Sequence, residues 1–347
     1  MSNVAEQPVA PPDPAVIQHV FQLGTGYMVS AALGIAARLG IAEQLVAGPA
    51  SSADLARATG VNEDALYRVL RALAMVGVFA ETAPRTFALT PAANLLRAGV
   101  PGSLREMVLW LCDSFHFRVY AETMHSVKTG ETLGEKVLGM PVFEYFQRDR
   151  ELSASFNNAM TNFSASVVPA VLPVYDFSGI DVLVDVAGGH GMILSSILKQ
   201  YPKMRGILLD LEHVLAGATA PDAMGVGDRV QKVSGDFFKA VPAGGDAYIM
   251  KHIIHDWDDE RASVILKNVR TALEGKPNGR LILLEAVIKP GNEPDLAKLI
   301  DLEMLLLPGG KERTADEFTA LFARSGFELT RIVPTASPVC VIEGRPR

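Results

Sequence analysis

Residues 181–191 read DVLVDVAGGHG, and the rest of the chain is organised around them. Val182, Leu183, Val184 and Val186 make a short aliphatic, β-branched run with no turn residue inside it, the pattern of a strand buried on both faces. Gly188, Gly189 and Gly191 end that run and let the backbone turn sharply and approach a ligand. The following MILSSILKQYP carries apolar residues at helical spacing. Strand, glycine turn and helix is the unit that holds nucleotide-like cofactors at the carboxyl ends of parallel strands.

Working outward, strands are expected near 182–187, 206–210, 230–233, 246–251 and 280–286, and residues 327–346 read as two antiparallel strands joined around 334–337. Five parallel strands with crossover helices and a closing hairpin predict an α/β fold, a Rossmann-like doubly wound sheet with one reversed strand, over 178–347. Residues 101–177 are mostly helical in pattern, punctuated by Gly130, Gly139-Met140-Pro141 and Pro169, and form a connection that contributes to the substrate pocket. Residues 52–79 read as two short helices, with Ser51 or Ser52 and Asn62 as caps, and two strands follow around Ala83-Pro84-Arg85. This winged-helix pattern sits in a domain placed at 15–100. From Ile17 to about Val46 the apolar residues are helically spaced and nearly all-round, which a short domain cannot bury alone; a second subunit could. Residues 1–14, with four prolines, are expected to be a flexible arm.

The 347 residues are 49% hydrophobic and 20% charged, as in a globular protein of two domains. A net charge of −7, and six Arg, no Lys and seven acids in residues 1–100, leave no phosphate-neutralising surface for DNA despite the winged helix. The motif is therefore read as a packing or dimerisation device. Two distant cysteines, Cys112 and Cys340, have no metal-ligand spacing and fit a reducing cytoplasm. No metal site is expected. The N-terminus lacks the basic and then apolar order of a signal peptide, and no uninterrupted apolar run approaches the roughly 20 residues of a bilayer span.

A dinucleotide fingerprint would place a third glycine at position 194, where this chain has Leu194. Asp185 suits a ligand carrying an ammonium or sulfonium group and would be ill placed beside phosphates, although it could also be a turn carboxylate. Asp210 ends the second strand, 19 residues after Gly191, where a carboxylate can accept both ribose hydroxyl protons. Asp236 and Phe237 end the third, an acid for the adenine amino group and a ring to cover it. The fourth strand brings Lys251, His252, His255, Asp256 and Trp257 to its carboxyl end. An imidazole at 255 is placed as a general base, and His252 is read as structural. Glu285 emerges from an apolar run and needs a partner, which an imidazole N–H one strand away would supply. Glu312 lies in the loop LLLPGGKERT.

VDVAGGHG, LLDLEHV, SGDFF, MKHIIHDWDDE and GGKERT, in this order, resemble the plant-type, caffeic-acid and acetylserotonin class of S-adenosylmethionine-dependent O-methyltransferases. That family also begins with a winged-helix-like dimerisation domain, so the resemblance covers nearly the whole chain. It implies a class I methyltransferase fold, a homodimer, S-adenosylmethionine as methyl donor and a small hydroxylated aromatic or polyketide-like acceptor. It also implies His255 as base, flanked and oriented by Glu285 and Glu312. Gly188, Gly189, Asp210, Leu211, Asp236, Phe237 and Lys251, with Asp185, would hold the donor. FNNAMTNFS resembles the family's helix between donor and acceptor, so Ser164 joins the donor side and Met160, Asp256, Trp257 and Met304 the acceptor side. The chain departs from the family at Ala187, where glycine is usual. If that position is not left-handed, alanine there costs little. Three rivals have separate tests: a non-methylating relative (hydroxylase or decarboxylase), which releases no S-adenosylhomocysteine; a winged-helix regulator, which shifts DNA on a gel; and a nicotinamide oxidoreductase, which binds that cofactor.

Overall fold

The computed structural model describes residues 13–347, so the expected arm at 1–14 lies almost wholly outside the described residues. The chain divides into two units, one reaching Asp113 and one running from Ser114 to Arg347. The first unit therefore extends past the expected boundary at 100. The cause is packing: Val108 joins its core, and a Cβ on Gly34 would come within 2.6 Å of Cys112 Cβ.

In the first unit, Asp13 caps a helix α1 (Pro14–Arg38). The apolar stretch expected to run on to Val46 breaks at Gly40, left-handed at φ 63°, before a single turn, Ile41–Gln44. A short strand β1 (Ala50–Ser51) follows, then α2 (Ser52–Thr59) and α3 (Glu63–Met75), capped by the Ser51 hydroxyl and the Asn62 amide oxygen. The wing is β2 (Phe79–Ala83) and β3 (Thr86–Leu89), in a three-stranded sheet ordered β1-β3-β2. Ile41, Leu55, Leu66, Leu70, Leu73, Phe79 and Phe87 fill its core. Val20, Phe21, Leu23, Tyr27 and Met28 of α1 stay 54–70% exposed. This helix has the length and mean hydropathy, 1.4, of a membrane span, but Gln18, His19 and Gln22 interrupt it.

In the second unit, α4 (Arg150–Val171) continues through Pro169, although the sequence pattern reads that residue as punctuation. The sheet strands are β4 (Val182–Val186), β5 (Arg205–Asp210), β6 (Val230–Ser234), β7 (Ala247–Lys251), β8 (Arg280–Glu285), β9 (Phe327–Pro334) and β10 (Cys340–Pro346). They lie in the order β6-β5-β4-β7-β8-β10-β9, with β10 alone reversed. Strand order changes direction between β4 and β7, and a crevice at such a switch point is where open α/β sheets bind ligands. Residues alternate along β4: Leu183 packs with Ile193, Leu194 and Leu208, while Val184 and Val186 pack with Met250, Leu266 and Phe318. Helices α5 (Met192–Gln200) and α6 (Asp259–Ala272) cover the two faces, and α7 (Ala297–Leu306) and α8 (Ala315–Arg324) complete the unit. Leu194 rests against Gly206, where a Cβ would come within 2.9 Å of it, so the small residue that lets helix approach sheet is on the strand.

Candidate active site

The chain leaves β4 through a tight reversal. A Cβ on Gly188 would lie 2.5 Å from both Asp185 Oδ2 and Leu208 Cδ1, so only glycine fits there. Gly189, at φ 58°, donates its N–H to Asp210 Oδ2 at 2.8 Å, and Leu211 N–H reaches Asp210 Oδ1 at 2.7 Å. Those amides orient the Asp210 carboxylate at the end of β5 and leave oxygen lone pairs free for a diol. Burial nevertheless raises its pKa, against the pull of the two amides. Asp185 is buried, and its Oδ2 has no hydrogen-bond partner. Burial and the nearby Asp210 push its pKa up to about 7, with Lys251 opposing. Lys251, over the Phe163 ring at 5.2 Å, is drawn down to about 8 by burial despite Glu285, Asp185 and Asp256.

The chemistry-bearing side chains come from two loops that press together. In the first, just past β7, Ile253 and Ile254 N–H donate to Glu285 Oε1 at 3.0 and 2.9 Å. In the second, before α8, Lys311 N–H donates to His255 O at 2.9 Å, and Glu312 N–H to Asp301 Oδ1 at 2.8 Å. His255 Nδ1 thereby meets Glu312 Oε1 at 2.7 Å, while its Nε2 lies 3.5 Å from Asp256 Oδ1. Burial works against charge on His255. Glu285, Asp256 and the hydrogen bond to Glu312 outweigh it and raise its pKa to about 9. Asp256 is pushed up to about 7 by burial, with His255 opposing and Glu285 and Glu312 adding to the rise. Arg313, fully buried, ties the loops together through Ile254 O at 3.0 Å, Trp257 O at 2.8 Å and Asp259 Oδ1 at 2.9 Å.

A cavity of about 350 Å³ opens beside this centre. It is lined by Met160, Ser164, Asp185, Gly188, Gly189, Asp210, Leu211, Asp236, Phe237, Lys251, Asp256 and Trp257, all singled out from the sequence. His255, Glu285, Glu312 and Met304 are not among its lining residues. His255 stands behind Asp256 with a side chain 8% exposed, and Met304 is buried. His252, read as structural, does line the cavity, and its φ of 52° is left-handed. Sequence reading also missed His190, which meets the Thr161 hydroxyl at 3.0 Å, and Phe143, Phe146, Phe156 and Phe238. These phenylalanines extend an aromatic wall to Trp257, with centroid distances of 5.6 Å from Phe143 and 4.8 Å from Phe238. The i, i+3 spacing of Phe143 and Phe146 signalled a helix face, but not which way it looked.

The expectation for Ala187 has to be corrected. Its φ is 56°, so it is left-handed: the chain must turn within one residue of β4 for Gly188 to pack on Asp185. An L-residue there costs about 1–2 kcal/mol, offset in part by its smaller backbone entropy in the unfolded chain. Ala187→Gly is therefore expected to stabilise the fold by about 0.5–1 kcal/mol. A urea midpoint at or below that of the parent chain would contradict this.

A sequence profile of the O-methyltransferase domain matches residues 120–328, and one of the O-methyltransferase dimerisation domain matches 21–99. Phenazine O-methyltransferase PhzM of Lysobacter antibioticus is 44% identical over 329 residues, covering 94% of this chain and 95% of that protein. The crystal structure of LaPhzM superposes with a TM-score of 0.91 at 43% identity, covering 96% of this chain and 99% of the other. NcsB1, an O-methyltransferase from neocarzinostatin biosynthesis solved with S-adenosylmethionine and 2-hydroxy-5-methyl naphthoic acid, gives a TM-score of 0.77 at 31% identity, covering 92% and 96%.

Proposed function

The chain belongs to the S-adenosylmethionine-dependent O-methyltransferase family, and we propose that it methylates a hydroxyl of a small aromatic or polyketide-like molecule with His255 as general base. One observation carries the reading: a single cavity is lined both by the glycine turn with its three strand-end acids and by the aromatic wall beside the His255 loop. The residues fit the donor. Gly188 lets the turn pack tightly on Asp185 and Leu208, the side-chain position at Gly189 is open, and Asp185 offers a buried, unpartnered carboxylate oxygen to a cation. Asp210 would take the ribose hydroxyls, Asp236 and Phe237 the adenine, and Leu211, Lys251 and Ser164 would complete the enclosure. Bound there, the donor supplies an electrophilic methyl on a sulfonium sulfur.

Phe143, Phe146, Phe156 and Trp257 stack a flat acceptor, and Met160 and Asp256 meet its edge. His255 is assigned the hydroxyl proton on Nε2, which reaches the cavity past the Asp256 carboxyl group 3.5 Å away, and Glu312 and Glu285 stabilise the imidazolium that results. With its pKa raised to about 9, His255 is mostly protonated at neutral pH, so turnover is expected to rise with pH as the ring gives up its proton and frees Nε2. Most of the acceleration comes from holding oxygen and methyl in line. The reading is tested by incubating the chain with S-adenosylmethionine and hydroxylated phenazines, the acceptor class named for the 44% identical relative. Release of S-adenosylhomocysteine with an O-methylated product is expected. Hydroxylation or decarboxylation of those compounds without methyl transfer would point to the non-methylating alternative.

The exposed apolar face of α1 is assigned to the interface of a homodimer, within the region matching the dimerisation profile. Paired Phe21→Glu and Leu23→Glu substitutions are expected to give a folded monomer by sedimentation. A persistent dimer would exclude this face. We place the enzyme in the cytoplasm, where Cys112 and Cys340, both free thiols, stay reduced.

A further inference from the structure

The fold gathers donor atoms of His252, His255 and Glu312 within 4.8 Å of one another in a buried position, with Glu285 beside them. His255 Nδ1 lies 2.7 Å from Glu312 Oε1 and 3.3 Å from His252 Nδ1. Glu285 Oε2 completes the group at 3.8 Å from His252 Nδ1 and 3.9 Å from His255 Nδ1. The side chains of His252 and His255 are 10% and 8% exposed, and those of both glutamates 0%. An imidazole nitrogen has one in-plane site, which holds either a proton or a lone pair. One proton on His255 Nδ1 therefore cannot serve both His252 and Glu312, and Glu285 Oε2 has no hydrogen-bond partner.

A divalent ion held by His252, His255 and Glu312, whose donor atoms all lie within 4.8 Å of one another, would serve these lone pairs, with Glu285 Oε2 as a fourth, longer ligand. Tetrahedral ligands about 2.0–2.1 Å from zinc lie about 3.3 Å apart, and His255 Nδ1 stands 2.7, 3.3 and 3.9 Å from the donors of Glu312, His252 and Glu285, on either side of that value. Two neutral imidazoles and two carboxylates carry the compensating charge, and nitrogen with carboxylate oxygen favours zinc over magnesium or calcium. The support around the donors is already built. Ile253 and Ile254 N–H groups fix Glu285 through its other oxygen, and Asp301 anchors the backbone of Glu312. The left-handed backbone of His252 holds its ring against His255, a conformation that costs free energy and is retained here inside the cavity wall.

We propose that His252, His255, Glu285 and Glu312 form a binding site for one zinc-like divalent ion, and that its occupancy reversibly stops methyl transfer. The ion takes the Nδ1 lone pair of each ring, and a proton held on His255 Nδ1 leaves to solvent. The one proton left on His255 then sits on Nε2, where no lone pair remains to receive the acceptor's proton. The site rests on donor geometry alone, whereas the inhibition also rests on His255 being the base.

The test is calorimetric titration of the full-length protein with zinc chloride, together with the visible spectrum of added Co²⁺. One ion per chain and the absorption of tetrahedral Co²⁺ are expected. His252→Phe and, separately, Glu285→Gln should each weaken zinc binding at least about tenfold. His125→Phe, a change at a partly exposed histidine outside the cluster, should not weaken it. Folding of each variant is checked by its thermal transition, and Glu285→Gln keeps the shape of the side chain if His252→Phe fails to fold. Zinc binding equally tight in the His252 and Glu285 variants, or absent below millimolar concentrations, would overturn the site. Co²⁺ bands with undiminished turnover would keep the site and refute both the inhibition and His255 as the base.

Discussion

Replacing His255 by alanine is expected to lower turnover by about 10²- to 10⁴-fold while leaving the affinity for S-adenosylmethionine unchanged. The two effects separate because most of the groups assigned to the donor line the cavity from β4, β5 and the loop after β6, with Ser164 from α4 and Lys251 from the end of β7, whereas His255 stands behind Asp256 and is not one of the lining residues. The fold will also register the change. His255 lies between the buried carboxylates of Glu285 and Glu312, and removing one member of a buried ionic group costs about 3–5 kcal/mol unless the survivors take up protons. His255→Gln separates the two effects, since its amide still donates to Glu312 but cannot act as a base. Both variants should bind the donor by calorimetry and release little S-adenosylhomocysteine in a single turnover. Turnover at the parent rate in either one would remove the base from the mechanism.

The sheet was legible because its strands are short apolar runs bounded by turn residues. The expected 182–187, 206–210 and 280–286 became Val182–Val186, Arg205–Asp210 and Arg280–Glu285. The acids at the strand ends were legible for the same reason, since parallel register alone carries Asp185, Asp210 and Asp236 to one edge. Features set by distant contacts were not. Nothing local forces Ala187 or His252 into left-handed backbone; the first is driven there by the packing of Gly188 on Asp185. Pro169 reads as a breaker, yet α4 continues through it on the strength of the packing of Val167, Ala170 and Val171. His255 is legible as an imidazole just past the end of β7, but the cavity wall there is made by Asp256 and His252, because the turn after β7 directs His255 toward Glu312, which lies 57 residues further along the chain.

Gly310 marks where that long-range contact is closest, and Gly310→Ala is expected to cost about 3 kcal/mol of stability and about 10²-fold in turnover. A Cβ there would fall 2.0 Å from His255 O, 2.3 Å from the Asp256 carbonyl carbon and 2.4 Å from Trp257 N. All three are backbone atoms, so no side chain can rotate aside and one of the two loops must move. The pieces that hold them resist. Arg313 bonds Ile254 O and Trp257 O from below, and Lys311 N–H holds His255 O, so a displacement of about an ångström breaks several hydrogen bonds at once. The residues displaced are those whose separation sets the His255–Glu312 contact at 2.7 Å. Donor affinity should survive, because Gly188, Gly189 and Asp210 belong to the glycine turn and β5, away from these loops. Neighbouring Gly309 is the control: at φ 84° it is left-handed, and a Cβ would meet only the Thr132 methyl at 2.8 Å, so Gly309→Ala adds backbone strain without driving the two loops apart. Comparable turnover losses in the two variants would mean that general strain in the loop, and not the spacing of His255 from Glu312, governs the rate.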